Sequence, residues 1–449
     1  HNGYKIISRT GSNHAGKWPK HMNRKQKELD SRHLVLCFQV HQPRRLRKGP
    51  LEEGAAPDSC FDQGLDRQIM ERVASQCYIP ANNLLLKLID QYPQIKIAFG
   101  ISGTALEQME LFSPEAMRSF QDLASTGSVD FLSEPYYHSL SFLMEGDEFE
   151  IQILEHAEKI YEHFGVRPEV FRNTHLVYND EIGRRISMMG FRGVLIEGNS
   201  YRKVSPHRLY EHRDGNGLKL LLRNSSLSDD IAFRVAGSDW NVTPDTFFSW
   251  LEAMPENENL VNISLNYETF GEHYSAESGI FDFLEHLLLL LAMQNDYRMA
   301  TPAGIAQHYE ATRLLSLPEY TMINGCDLSD WFGNDRQREA FSALAELELP
   351  VKKHNDSRLL KQWRALQASD HFFYMSDRSN GGKLSPYTSS QEAFHYFMQT
   401  MRCLERSVKE AGRTGTDPEK VNEAIEAERR NLNAPVWALT IDPHNGHHN

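Results

Sequence analysis

The stretch HLVLCFQV, residues 33–40, is followed at once by His41-Gln42-Pro43, and it is the first of a repeated pattern. Its nearly continuous apolar run is typical of a strand buried on both faces of a parallel sheet. Six similar runs lie at 95–102, 128–133, 169–173, 190–197, 218–223 and 260–266. Helix-length segments separate or follow them, at 65–92, 105–126, 147–165, 178–189, 242–255 and 277–294. This alternation predicts an α/β fold with seven parallel strands in an incomplete (β/α)7-type barrel.

The pattern changes after about residue 300, where three segments have the spacing of amphipathic helices, at 334–347, 355–376 and 389–411. We therefore expect four regions: a disordered leader or cloning-derived segment at 1–30, a catalytic-type barrel at 31–300, a helical region packed on the barrel at 301–410, and a charged, mobile tail at 411–449. The first segment is polar and basic without the apolar core of a signal peptide, and Met22 is a candidate natural start.

The composition of the chain indicates which binding partners and which cellular compartment to expect. The net charge of -13 disfavours nucleic acid and anionic membranes as main partners. Five scattered cysteines without metal-finger spacing favour a reduced compartment, and we expect a cytoplasmic protein. The apolar run at 281–293 contains charges and is too short for a membrane span, so it predicts a buried helix. The histidine-containing end of the chain, at 443–448, lacks carboxylate or cysteine companions and predicts a flexible end without a metal.

Polar side chains follow several predicted strands at the point where each strand ends. His41 follows the first strand, Glu134 the third and His175 the fourth, while Asn266 ends the seventh. In an α/β barrel the carboxyl ends of the strands form the rim on which sites are built. The sequence therefore predicts a site at this rim.

Two of these rim segments carry a family resemblance. Residues 171–180, FRNTHLVYND, resemble the stretch of glycoside hydrolase family 57 α-amylases that carries the catalytic nucleophile. Residues 265–273, LNYETFGEH, resemble the stretch that carries the general acid. The family has Glu where this chain has His175, and Asp where it has Asn266. The resemblance implies an amylase-type glycosidase in which both catalytic carboxylates are replaced.

Further segments extend the resemblance over roughly residues 33–410. They are His41-Gln42-Pro43, and the stretches at 133–140, 227–234, 327–334 and 367–375. The resemblance implies substrate-binding roles for a set of rim residues: His41, Glu134, Tyr136, Tyr137, His138, Glu268, His273, Trp331 and Asp370. Aromatic rings beside hydroxyl-bonding groups suit sugars, whose C–H faces stack and whose hydroxyls need partners. For Asp229, Asp230 and Arg234, structural ion pairing and ligand contact both remain open.

The two replacements decide what activity to expect. A retaining glycosidase needs two carboxyl groups about 5–5.5 Å apart, one as nucleophile and one as general acid. Imidazole is not a competent glycosyl nucleophile, and an amide donates no proton as a general acid. Losing both carboxylates should remove most of the rate. Because His175 and Asn266 are polar and of similar size to the residues they replace, the groove can still bind a neutral sugar.

Three functional hypotheses follow. The first is an α-glucan-binding homologue, for glycogen or maltooligosaccharide, with impaired catalysis. The second is an active α-glucan hydrolase or transglycosylase that uses displaced carboxylates, for which the candidates are Glu134, Glu181, Glu268 and Glu272. The third is a non-catalytic docking or regulatory subunit. The resemblance implies no metal and no organic cofactor, since the chemistry of the family uses protein carboxylates.

Overall fold

Seven parallel strands form a ring, as the alternating pattern predicts. A computed structural model of the chain describes residues 31–49, 57–198, 204–235, 242–323, 327–354, 356–378 and 385–413. The strands in these ranges are β1 (Arg32–Val40), β2 (Ile97–Ile101), β3 (Val129–Leu132), β4 (Val170–Arg172), β5 (Gly193–Glu197), β6 (Tyr210–His212), β7 (Lys219–Arg223), β8 (Leu260–Asn266), β9 (Tyr297–Met299) and β10 (Arg313–Leu315). The predicted leader, most of the predicted tail and Cys326 lie outside the described residues.

The ring contains all seven of the predicted strands. β1 pairs in parallel with β2 and β8, β2 with β3, β4 with β5, and β5 with β7. Two narrow junctions complete it: a bridge between Ser133 and Phe171 beside β3 and β4, and one residue pair between β7 and β8, Arg223 with Asn262. The prediction of a seven-stranded parallel barrel that is nearly closed is confirmed.

Three short strands were missed. β6 pairs antiparallel with β7 and parallel with β10, and β9 lies parallel to the start of β1. Each has three residues, which is too few to give a recognisable alternation of apolar and polar positions. They extend the sheet at its edges, and the ring is built without them.

Helices surround the ring and form a further region after it. Those described are α1 (Gln63–Val73), α2 (Ile79–Gln91), α3 (Gly103–Phe112), α4 (Pro114–Ser125), α5 (Glu148–Phe164), α6 (Asp180–Met188), α7 (Ser225–Arg234), α8 (Pro244–Glu252), α9 (Ile280–Met293), α10 (Pro302–His308), α11 (Ser329–Phe332), α12 (Asp335–Glu346), α13 (Glu348–His354), α14 (Ser357–Ala365), α15 (Ser369–Phe373) and α16 (Ser390–Arg413). Within the described ranges no helix is long and apolar enough to cross a membrane. The predicted buried helix at 281–293 lies within α9.

Some predicted helices are interrupted. The segment 65–92 contains a π-helical turn, Ala74–Tyr78, between α1 and α2. The segment 105–126 breaks at Ser113, because the following Pro114 begins a new helix and disfavours helical backbone at the residue before it. Segment 355–376 likewise divides into α14 and α15. These breaks matter because α15 carries Asp370.

A buried ion pair fastens the helices after residue 300 to the barrel. Arg364 Nε of α14 donates to Glu148 Oε1 of α5 at 2.7 Å, and both side chains are buried. Lys352 Nζ lies 3.2 Å from the other carboxylate oxygen of Glu148. Beside them, Gln152 Nε2 donates to Gln367 Oε1 at 2.8 Å. Because Gln367 lies three residues before Asp370, this network positions the segment that reaches the rim.

Replacing Arg364 with Met should therefore destabilise the protein strongly. The substitution leaves the Glu148 carboxylate buried with less compensation, at an expected cost of about 3–5 kcal/mol. The measurement is the thermal midpoint and the urea midpoint of the full chain. Arg67→Met is the matched control, because Arg67 forms an exposed pair with Glu71 that should contribute about 1 kcal/mol or less. Equal effects of the two substitutions would contradict the anchoring role.

Candidate active-site cleft

A hydrogen-bonded contact between Asp370 and His41 joins the helical region to the barrel rim. Asp370 Oδ2 lies 2.8 Å from His41 Nε2. The other ring nitrogen of His41 lies 2.7 Å from Ser102 Oγ, at the end of β2. Burial acts to raise the pKa of the Asp370 carboxyl, but the neighbouring His41 ring and its hydrogen bond hold that pKa well below its usual range. Asp370 is therefore an ionised carboxylate, and its side chain is 22% exposed.

Three histidines lie in series, beginning with His41 of this pair. The rings of His41 and His138 stack with their centroids 4.2 Å apart, and the rings of His138 and His175 meet edge to face at 5.1 Å. His175 also packs on the indole of Trp331 at 4.4 Å. Burial holds the pKa of both His138 and His175 well below the ordinary value. Both rings are consequently neutral at pH 7, including that of His175, for which the resemblance implies the nucleophile position.

Glu134 lies beneath the histidines in a closed set of hydrogen bonds. Gln39 Nε2 donates to both of its oxygens at 3.0 and 3.1 Å, and His138 Nδ1 lies 2.9 Å from Oε2. The side chain is fully buried. Gly100 makes room for this set, since a Cβ there would lie 2.8 Å from Gln39 Oε1. Glu134 is thus placed to support His138 from below, without an open approach for a ligand.

The backbone is strained at two of these histidines. His138 and His175 each have φ of 51°, and Leu176 has φ of 56°. Such left-handed backbone is uncommon for residues other than glycine and costs on the order of 1–3 kcal/mol. Strain of this kind persists where the surroundings fix the conformation, and it clusters at ligand and active sites. The two strained histidines are those that face the cleft.

Asn266, for which the resemblance implies the general-acid position, lies at the end of β8, beside β1. Its side chain is exposed, and its strand partner is Gln39. Gln39 in turn contacts Glu134, which contacts His138. Asn266 and the histidine series are therefore attached to one buried network.

Glu268 and His273 follow Asn266 but differ in exposure. Tyr78 Oη donates to Glu268 Oε1 at 2.6 Å, and the Glu268 side chain is buried. Burial raises the pKa of this carboxyl. His273 is exposed, and its backbone N–H donates to the Glu268 carbonyl at 2.8 Å.

The candidate aromatic residues are largely enclosed. Tyr136, Tyr137 and Trp331 are 7%, 4% and 4% exposed. Tyr136 Oη donates to Glu107 Oε1 at 3.0 Å, so its polar end is directed at another side chain. These rings shape the walls of the cleft, and in this conformation they present little open surface for stacking.

Several acidic residues considered from the sequence are engaged in ion pairs away from the histidine series. Asp229 pairs with Arg223, and Asp230 pairs with Arg234. The remaining two pairs are Glu272 with Arg72 and Glu181 with Arg184. For Asp229, Asp230 and Arg234, the contacts observed are structural ion pairs.

Sequence reasoning missed three polar partners of the site. Ser102 contacts His41, Ser369 Oγ lies 3.0 Å from His175 Nε2, and Gln39 holds Glu134. Ser102 is the last residue of the predicted strand 95–102, so an argument from strand ends, as for Asn266, would also have found it. Ser369 precedes Asp370, but nothing local indicated its distant partner. Among the described residues, no group of three or more His, Cys, Asp or Glu side chains is arranged to hold a metal ion.

The parallel seven-stranded barrel with polar residues at its strand ends defines an α/β-barrel protein, and comparison with known proteins identifies the family. The profile described as glycosyl hydrolase family 57 matches residues 35–318. A protein of Methanocaldococcus jannaschii named "Putative alpha-amylase" is 33% identical over 403 residues, covering 84% of this chain and 85% of that protein. The chain belongs to glycosyl hydrolase family 57.

Solved structures agree with this fold. A family-57 branching enzyme from Thermococcus kodakaraensis, in complex with glucose, superposes with a TM-score of 0.64 at 13% identity, covering 92% of this chain and 96% of that chain. A family-57-type branching enzyme from Pyrococcus horikoshii gives 0.63 at 14% identity, covering 92% and 98%. At these identities the likeness concerns the fold alone.

His371 provides a test of the electrostatics beneath the cleft. Burial lowers the pKa of His371 to about 4, from an ordinary value of 6.5. Between these values the unfolded chain binds a proton that the folded chain does not, so stability falls as the pH falls through this window. Between pH 7 and pH 4.5, the free energy of unfolding should fall by about 2–3 kcal/mol less in His371→Leu than in the natural chain. Denaturant titrations at both pH values measure it.

The exposed His395 provides the control, as His395→Leu should leave the pH dependence unchanged. An unaltered pH dependence in His371→Leu would show that His371 is not held neutral by burial.

Proposed function

We propose that this family-57 chain binds α-glucan, such as maltooligosaccharide or glycogen, in the rim cleft and hydrolyses it poorly or not at all. The observation that carries the proposal is the contrast between the two catalytic positions and their surroundings. The positions that match the nucleophile and the general acid hold a neutral histidine and an amide, while the polar groups around them remain ordered. A glycosidase cleft without its two catalytic carboxylates keeps the polar groups that bind sugar hydroxyls, but it has lost the groups that break the glycosidic bond.

Three features support retained binding. Asp370 is ionised and partly exposed, so it can accept hydrogen bonds from sugar hydroxyls while His41 fixes its orientation. Asn266 is exposed at the end of β8, the strand that pairs with β1, and offers both a donor and an acceptor. The strained backbone of His175 and its contacts with Ser369 and Trp331 hold that ring in one position. A preorganised neutral cleft suits a neutral ligand.

Restoring both carboxylates should restore hydrolysis. We expect the natural chain to release no reducing sugar above background from maltooligosaccharide or glycogen. The double variant His175→Glu with Asn266→Asp should be faster by several orders of magnitude, because each group supplies a separate part of the mechanism. Each single variant should remain near background. A reducing-end assay with chromatography of the products measures all four proteins.

The matched control places the same substitutions outside the cleft, as His395→Glu with Asn83→Asp, since both side chains are exposed. It should be inactive. If the natural chain hydrolysed glucan as fast as the double variant, the assignment of an impaired cleft would be contradicted.

Binding should depend on Asp370. The substitution Asp370→Asn keeps the size of the side chain and removes the charge that orients His41 and accepts hydroxyl hydrogen bonds. We expect about tenfold or greater weakening of maltooligosaccharide binding, measured by calorimetry. Asp335→Asn is the control, because Asp335 is 99% exposed at the start of α12. Equal affinities for both variants would count against the cleft as the binding site.

One observation favours a second candidate, an active α-glucan hydrolase or transglycosylase with displaced carboxylates. Burial raises the pKa of Glu268, and the histidines lower that of Asp370. Two carboxyl groups whose pKa values are pushed apart are the usual signature of an acid and its ionised partner. If the natural chain shows turnover, Glu268→Gln should abolish it. The remaining hypothesis, a docking subunit, predicts a co-purifying protein and no affinity for glucan.

A further inference from the structure

Cys60 and Cys403 meet although they come from distant parts of the chain. Cys60 ends the 3-10 turn Pro57–Cys60, and Cys403 lies on α16. The turn packs against α16, and the two thiols share a side-chain hydrogen bond. Both cysteines are buried, and neither is part of a disulfide. A disulfide requires two thiols to lie close together, and this hydrogen bond joins two thiols from distant parts of the chain.

The backbone on each side of this thiol pair is held in place. Gln399 lies one helical turn before Cys403, on the same face of α16, and its Nε2 donates to the Gly49 carbonyl at 2.7 Å. The Arg47 N–H donates to the Cys60 carbonyl at 2.8 Å. This face of α16 is therefore fastened to the loop that follows His41.

The cysteines of the described residues differ in reactivity. The hydrogen bond from Cys60 lowers the pKa of the Cys403 thiol to about 7 against the effect of burial, and Arg406 lowers it further. Burial instead raises the pKa of the Cys37 and Cys77 thiols. Since the thiolate is the nucleophile, Cys403 is the thiol poised to react.

We propose that Cys60 and Cys403 form a reversible disulfide that locks the helical region onto the barrel. A peroxide is the oxidant. The Cys403 thiolate attacks one peroxide oxygen, the O–O bond breaks, and Cys403 becomes a sulfenic acid as the other oxygen leaves as water with the thiol proton. The Cys60 sulfur then attacks the Cys403 sulfur: the S–S bond forms, the S–O bond breaks, and a second water leaves with the Cys60 proton.

The disulfide would join both sides of the contact on which the cleft depends. On α16, Phe397 packs against Phe372, two residues after Asp370, with ring centroids 5.6 Å apart. In the loop, Arg45 Nη2 donates to Gln42 Oε1 at 2.8 Å, directly after His41. The disulfide would therefore close a loop of chain from residue 60 to residue 403, and it would restrict the conformations of the unfolded state. It does not depend on whether the cleft binds glucan.

The test is oxidation of the reduced full chain with hydrogen peroxide, followed by peptide mapping under non-reducing conditions. We expect one cross-linked peptide joining Cys60 to Cys403, with the loss of two hydrogens, and a thermal midpoint raised by a few degrees. A dithiol reductant should reverse both changes. Cys60→Ser and Cys60→Ala should each abolish the cross-link and the rise in midpoint, while Cys77→Ala should change neither.

A link from Cys403 to any other cysteine, Cys326 included, would overturn the proposal. So would over-oxidation of Cys403 in the natural chain without a link, or a rise in the thermal midpoint that persists in both Cys60 variants. Because none of these measurements involves glucan, they separate this proposal from the proposed function.

Discussion

The contact between Asp370 and His41 is the interaction on which the cleft depends. The two residues are 329 positions apart in the chain, and they meet only because the helices after the barrel fold back over its rim. The contact fixes the His41 ring, on which His138 stacks, and His138 in turn packs against His175. A carboxylate from the helical region thus determines the orientation of a series of rings that belongs to the barrel. Without it, the His41 ring would lose the carboxylate that fixes its orientation.

A buried, hydrogen-bonded layer under the rings supports the shape of the rim. Glu134 is saturated by Gln39 and His138, and the burial of the rings favours their neutral forms. A negative charge at position 175 would have to be accommodated beside Asp370, whereas a neutral imidazole is not repelled by it. Under the proposed function, a histidine in place of the family's glutamate would remove the nucleophile and would also avoid a repulsion between like charges. The same proposal makes the rim a binding site for a neutral polymer of hydroxyl groups.

The sequence predicted the barrel because buried parallel strands have long apolar runs, and it predicted the rim residues because they directly follow those runs. His41, Glu134, His175 and Asn266 all lie where the strand ends placed them. The short strands β6, β9 and β10 gave too little periodicity to be detected. The contacts of Asp370, Ser369 and Arg364 with the barrel arise from chain segments hundreds of residues apart, and no local pattern encodes such pairs. The same holds for Cys60 and Cys403, which looked like two scattered cysteines in the sequence.

The most direct test of an intact but disarmed cleft is a crystal structure of the full chain soaked with a maltooligosaccharide. The account predicts an uncleaved saccharide that passes between His175 and Asn266, with a glucosyl hydroxyl donating to Asp370. A saccharide found cleaved at that position would assign the chemistry to other carboxylates. A cleft that stays empty at saturating sugar, with the Asp370–His41 contact in place, would contradict glucan binding itself.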